Sequence, residues 1–359
     1  MGNTTSTQTS NTPSQFVYTH HCQDWTGDAL GFEQSPIDII PKSSQFSQDM
    51  KMELLLTDHN LSDLIVQDTG FALTCFGPFS KLRATDVDGN TYEFEALQFH
   101  FHAPAEHTIN GGQYELELHI VHQMTAESAK IAKTERKLAV VAVFFQLDTS
   151  PEAIPHDFIS ALKLNHTGSK INLNMYQLLG DDLTDMNQFY AYKGSLTTPP
   201  CSELVNWYLF ETPLKITKSQ LDLFNQRWKD NINFAGGCGN NRPTQQLNNR
   251  NVLKSNNCCV MAKSEESLKR VAENKNKDLD LELTIQREII LDEFSMKSQF
   301  AKGNTQGFIG TPTFQKKDSN IESGESSNNH KSFKSSAFTP KGDNFTNVTE
   351  RTTFTQCSS

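Results

Sequence analysis

The stretch that decides the fold is "LQFHFHAPAEHTINGGQYELELHIVHQ", Leu97 to Gln123, with five histidines, three glutamates and a double glycine in twenty-seven residues of otherwise strand-forming sequence. In a strand, residues two apart share a face, so His100 and His102 point one way while Phe101 points into a core. The "INGG" run returns the chain as a hairpin. A turn centred on Asn110-Gly111 sets His102 opposite His119, and a centre at Gly111-Gly112 shifts that register by two. Pro104 cannot donate to a ladder, so an irregularity is expected just after His102. In either register His100, His102 and His119 gather on one sheet face.

Three neutral imidazoles suit zinc and add no negative charge, so the ion keeps its full double charge. Metal-bound imidazoles hold their second nitrogen against an acceptor. The period-two parity puts Gln98 on the face of His100 and Glu117 on that of His119, and these are the acceptors expected. His107 and His122 have the opposite parity to His102 and His119 and are expected to be structural. The plainer alternative is a polar strand face with surface histidines. Convergence of two strands with same-parity Gln and Glu argues against it.

Outward from this hairpin, short β-type runs such as "LIVQDTGFALTCF", "KLAVVAVFFQL" and "LVNWYLFETPL" extend from Phe16 to about Leu253, broken by Gly, Pro and Asn/Asp. They predict a mainly β (α+β) single domain over residues 16–255, with a central twisted, largely antiparallel sheet and a few short helices. A helix is expected to start near Thr217, where Leu221, Phe224 and Trp228 recur at helical spacing. Residues 1–15 read as a disordered leader. Residues 256–300 form a charged amphipathic segment in which Leu279, Leu281, Leu283 and Ile285 alternate, so helix and strand stay undecided there. Residues 301–359 are low-complexity and expected to be disordered; Thr311 and Thr339, each before proline, are candidate phosphosites.

Apolar residues make up 36% of the 359 and the formal net charge is −10, with no block of lysine or arginine. That balance argues against nucleic acid and against a polybasic membrane patch. No run reaches the ~18 apolar residues of a transmembrane span, and "MGNTTSTQTSN" lacks the apolar core of a secretory signal. It does fit M-G-x-x-x-[ST], which would place a myristoyl chain on Gly2 and the protein on the cytoplasmic membrane face. Seven cysteines are too dispersed for a zinc ribbon or a small disulfide scaffold; Cys258 and Cys259 form a doublet open to palmitoylation.

Six motifs then give a resemblance. "QSPIDI" (34–39), "QFHFH" (98–102), "EHT" (106–108), "ELHIVH" (117–122), "GSLTTPPC" (194–201) and "NRPTQ" (241–245) stand in the order and at the distances of an α-class carbonic anhydrase, over roughly two-thirds of the chain. The resemblance implies Zn2+ on His100, His102 and His119, and reversible hydration of carbon dioxide to bicarbonate by zinc-bound hydroxide. The near-neutral pKa of such a water is a property established on carbonic anhydrases themselves. The resemblance further implies that Thr197 accepts the hydroxide's proton while donating its own to Glu106, which as a carboxylate has none to give. Val121, Val140, Leu196 and Trp207 resemble the apolar wall of the substrate pocket, and Thr198 the residue beside bicarbonate. Tyr192 and Arg242 resemble structural positions.

At the family's proton-shuttle position this chain has Phe71 or Gly70, so proton export is expected to be slow and buffer-dependent; His20, His21 and His59 are alternatives that spacing does not separate. Cys22 and Cys201 resemble the family's disulfide, which would imply a secreted or extracytoplasmic protein. The partners implied are carbon dioxide and bicarbonate, with a monomer expected. A binding module that has lost catalysis would lack a zinc histidine. An amidohydrolase would need alternating strands and helices. The sequence shows neither.

Overall fold

The computed structural model describes residues 18, 22, 25–166, 168–184 and 186–263. The expectations for the leader and Gly2, for His20 and His21, for residues 264–300 and for the 301–359 tail lie outside the described residues.

The 138–147 segment "LAVVAVFFQL" is apolar at successive positions because both of its faces are buried, as a central strand requires. Strands Leu73–Phe76, Thr91–His102, Leu116–Met124, Leu138–Leu147 and Val205–Phe210 lie side by side in that order at the middle of a sheet that counts fourteen strands among the described residues. Their ladders are antiparallel up to Leu138–Leu147, which pairs in parallel with Val205–Phe210. The mainly β architecture with few short helices is the one the sequence predicts.

The sheet separates two cores. One face carries Phe99, Phe101, Leu118, Ile120, Val141 and Phe145 into a large cluster, which Leu221, Phe224 and Trp228 join. The opposite face carries Val121, Val140, Ala142, Trp207 and Leu209 into a second. Burying a side chain of this size stabilises by about 1.5–3 kcal/mol. The helix expected near Thr217 runs Lys218–Asn225, started by a capping box between Thr217 and Gln220.

The hairpin departs from both expected registers. Its turn does sit on Asn110-Gly111, at φ 51° and 74°, and closes the ladder Thr108 to Gln113. In the main sheet, however, His102 faces Glu117 and His100 faces His119. Between the two ladders the outgoing chain spends residues 103–107 and the returning chain only 114–116. That two-residue surplus around Pro104 displaces His102 from His119.

The domain also runs past the boundary expected at 255. Cys258–Lys263 pairs in parallel with Lys51–Thr57, with Val260 buried in the large core. Cys22 and Cys201, which the resemblance joins as a disulfide, pack in one cluster with Tyr18, Trp25 and Phe71. They are not joined to each other in this structure, and each sits in a turn at positive φ, 64° and 62°. Among the described residues no helix is long and apolar enough to cross a membrane.

Candidate metal centre

The register places His100 and His119 as direct neighbours across two strands, with His102 two residues along the same face. Their rings stand 4.8–5.1 Å apart, centroid to centroid. One nitrogen from each lies within 4.8 Å of the others.

The second nitrogen of each ring is held. His100 Nδ1 donates to Gln98 Oε1 at 2.9 Å and His119 Nε2 to Glu117 Oε1 at 2.7 Å, the two acceptors expected from parity. His102 Nδ1 donates to the backbone carbonyl of Asn240 at 2.8 Å. These bonds fix the tautomers and leave His100 Nε2, His102 Nε2 and His119 Nδ1 facing one another. His102 Nε2 is buried with no hydrogen-bond partner among the described residues. A buried nitrogen of this kind costs about 1–3 kcal/mol unless something binds it.

Burial and the neighbouring rings keep the His100 and His102 imidazoles neutral. His100 is held well below its ordinary range and His102 is lowered to about 3. At neutral pH a cation therefore displaces no proton from either. Glu117 collects four donors: the backbone N–H groups of Glu106 and His107 on Oε2, and the rings of His107 and His119 on Oε1. Burial alone would raise its carboxyl, but the charges of and bonds from His107 and His119 outweigh that and hold it well below.

His107 plays a larger part than its parity suggests. The chain has left the strand at Ala103, so period two no longer applies. Its ring bridges Glu117 and the Tyr192 hydroxyl, which donates on to Ser35. His122 is structural as expected, between Ser80 Oγ and the Ile120 carbonyl. Asn240 had no signal of its own in the sequence. It braces the site three more times, accepting from Ala103 N and donating to the carbonyls of Phe71 and Phe101. Gly239 allows that approach: at φ 139°, a Cβ there would lie 2.2 Å from the Ala103 carbonyl.

Thr197 and Glu106 are 5% and 1% exposed. Burial raises the Glu106 carboxyl well above its usual range. The Thr197 hydroxyl draws it back most strongly, followed by the Arg242 backbone N–H, which donates to Oε1 at 2.8 Å. Val121, Val140 and Trp207 stand in register across three strands on the face of His119, and the Trp207 ring meets the His119 ring at 4.8 Å. Leu196 packs against the same cluster. Thr198 is half-buried beside it. Phe71 is 9% exposed in the hairpin turn that leads to Thr74, the partner of His100. His59 sits at the far end of the Leu61–Asp68 strand, away from that turn.

The sequence profile of the eukaryotic-type carbonic anhydrases matches residues 19–256. This chain belongs to that family. Its members are lyases that interconvert carbon dioxide and bicarbonate. A putative carbonic anhydrase of Caenorhabditis elegans is 36% identical over 166 residues, 45% of this chain and 64% of that protein. Carbonic anhydrase Nec1 of Nesocodon mauritianus is 32% identical over 230 residues, 64% of this chain and 77% of its own. The crystal structure of a halotolerant carbonic anhydrase from Dunaliella salina superposes with a TM-score of 0.53 at 28% identity, over 68% of this chain and 99% of that one. The profile ends before the Cys258–Lys263 strand, so that strand lies beyond the matched region.

Proposed function

We propose that this carbonic anhydrase holds zinc on His100, His102 and His119 and hydrates carbon dioxide there. One observation carries the reading: three imidazoles converge with their outer nitrogens engaged, and the inner Nε2 of His102 is buried without a partner among the described residues. Zinc bound there supplies a Lewis acid that makes hydroxide available near neutral pH, a property established on carbonic anhydrases themselves.

The chain's own residues set the geometry. Thr197 donates its hydroxyl hydrogen bond to Glu106 and so presents a lone pair to the hydrogen of the attacking hydroxide, fixing its direction. Val121, Val140, Leu196 and Trp207 hold carbon dioxide against an apolar wall that offers it no hydrogen bond. Thr198 receives bicarbonate before water displaces it. Neither Phe71 nor Gly70 can carry a proton, so the proton leaves through buffer. The enzyme acts as a monomer, which sedimentation of the full chain tests.

Zinc content and stopped-flow carbon dioxide hydration of the full chain test the proposal together. The expected result is close to one zinc per chain with fast hydration, both lost in His119→Gln. Zinc without hydration would indicate a binding module, and no zinc would remove the site assignment.

A further inference from the structure

Two triplets in the folded domain fit Asn-x-Ser/Thr: Asn60-Leu61-Ser62 and Asn165-His166-Thr167. Such triplets arise by chance, so position has to decide. Both asparagines are exposed and both lie in connections. Asn60 ends the turn between Lys51–Thr57 and Leu61–Asp68; Asn165 lies in the single turn Leu164–His166. Other asparagines at this corner are tied down: Asn172 Oδ1 accepts from Asp63 N and Asn174 Nδ2 donates to the Asp58 carbonyl. The Asn60 and Asn165 carboxamides make no such bond among the described residues.

The two also flank one element. Among the described residues Lys170–Leu173 is the last strand on its side of the sheet, paired with Leu61–Asp68, with Leu173 opposite Leu61 and Lys170 opposite Ile65. Asn60 therefore stands at one end of that edge strand. Asn165 stands at the other, its connection pinned by Gly168 N donating to the Val66 carbonyl. An uncovered edge offers its unpaired N–H and C=O groups to another chain, and proteins shield such edges. The Asn60 end is also remote from the metal centre. At about 3.3 Å per residue, the Leu61–Asp68 strand carries Asn60 more than ~20 Å from the turn that holds Phe71.

We propose that Asn60 and Asn165 carry N-linked glycans that shield the two ends of this edge strand. In the transfer, Asn Nδ2 bonds to C1 of an oligosaccharide carried on a polyprenyl diphosphate. The C1–oxygen bond breaks, the polyprenyl diphosphate leaves with its electron pair, and the amide proton passes to a base of the transferase. This chemistry belongs to the secretory lumen. It therefore assigns the folded enzyme to that route rather than to the cytoplasmic membrane face.

The full chain, isolated from the cells that make it, is digested and its peptides are read by mass spectrometry before and after peptide-N-glycosidase in heavy-oxygen water. Glycosylated peptides at both asparagines, each converted to labelled aspartate, are expected. Asn60→Gln and Asn165→Gln should each remove one glycan in the same cells and leave hydration unchanged. Unmodified Asn60 and Asn165 overturn the proposal, even if Asn344 or Asn347 carries sugar; occupancy at only one of the two overturns the paired shield. Deglycosylating the folded protein should raise its self-association in sedimentation, and an unchanged profile refutes the shielding role.

Discussion

Replacing Thr197 by valine removes one hydroxyl and keeps the side chain's shape, which isolates the orienting role from packing. Thr197 is buried beside Glu106, and its hydroxyl is the strongest influence opposing the rise that burial imposes on that carboxyl. A hydrogen bond between such side chains contributes about 0.5–1.5 kcal/mol. Without it Glu106 keeps the Arg242 backbone N–H at 2.8 Å, and the attacking hydroxide loses the acceptor that aims it. Misdirection of this kind costs ~10²-fold, or about 2.7 kcal/mol in the barrier read from kcat/KM. Stopped-flow hydration at saturating buffer, where proton export does not limit, is the assay, with zinc quantified on the same sample. Thr197→Val should fall ~10²-fold with zinc retained, whereas Thr197→Ser should keep most of the rate. A valine variant with full zinc and the parent's kcat/KM would refute the orienting role.

Other consequences follow from buffer, pH and backbone. If Phe71 or Gly70 takes the family's relay position, neither can carry a proton there, so turnover should climb with buffer concentration, and a rate indifferent to buffer would count against slow proton export. Burial depresses His122 from 6.5 to about 4. The folded state therefore favours its neutral form, and the stability this gives is complete above pH ~6.5 and lost as pH falls toward 4, up to about 3 kcal/mol for this one group. Urea unfolding of the parent should weaken more steeply over that window than that of His122→Gln; parallel slopes would show that His122 is not the acid-sensitive group. Gly239→Ala should lower stability by about 1–3 kcal/mol and reduce bound zinc, since its Cβ would strike the Ala103 carbonyl and push Asn240 away from His102. Unaltered melting and zinc content would contradict the brace assigned to Asn240.

Much of the site was legible because strand parity is a local rule. It placed His100 and His102 on one face, set Gln98 and Glu117 behind the rings, and separated His122 correctly. It failed where the chain stops being a strand. The detour through Ala103 and Pro104 shifted the pairing to Glu117 and freed His107 to reach the network beneath His119. Asn240 was out of reach for a different reason: it lies 138 residues from His102, and only tertiary folding brings its carbonyl to that ring. The Cys258–Lys263 strand was missed because the charged sequence after it masks a short inward alternation of Cys258 and Val260.

The central claim is the ligand set, and X-ray absorption at the zinc edge of the loaded full chain tests it most directly. The account predicts imidazole scattering from three rings at Zn–N distances of about 2.0–2.1 Å with one further light ligand. A sulfur shell at about 2.3 Å, drawn from the chain's cysteines, or fewer than three imidazoles, would contradict it.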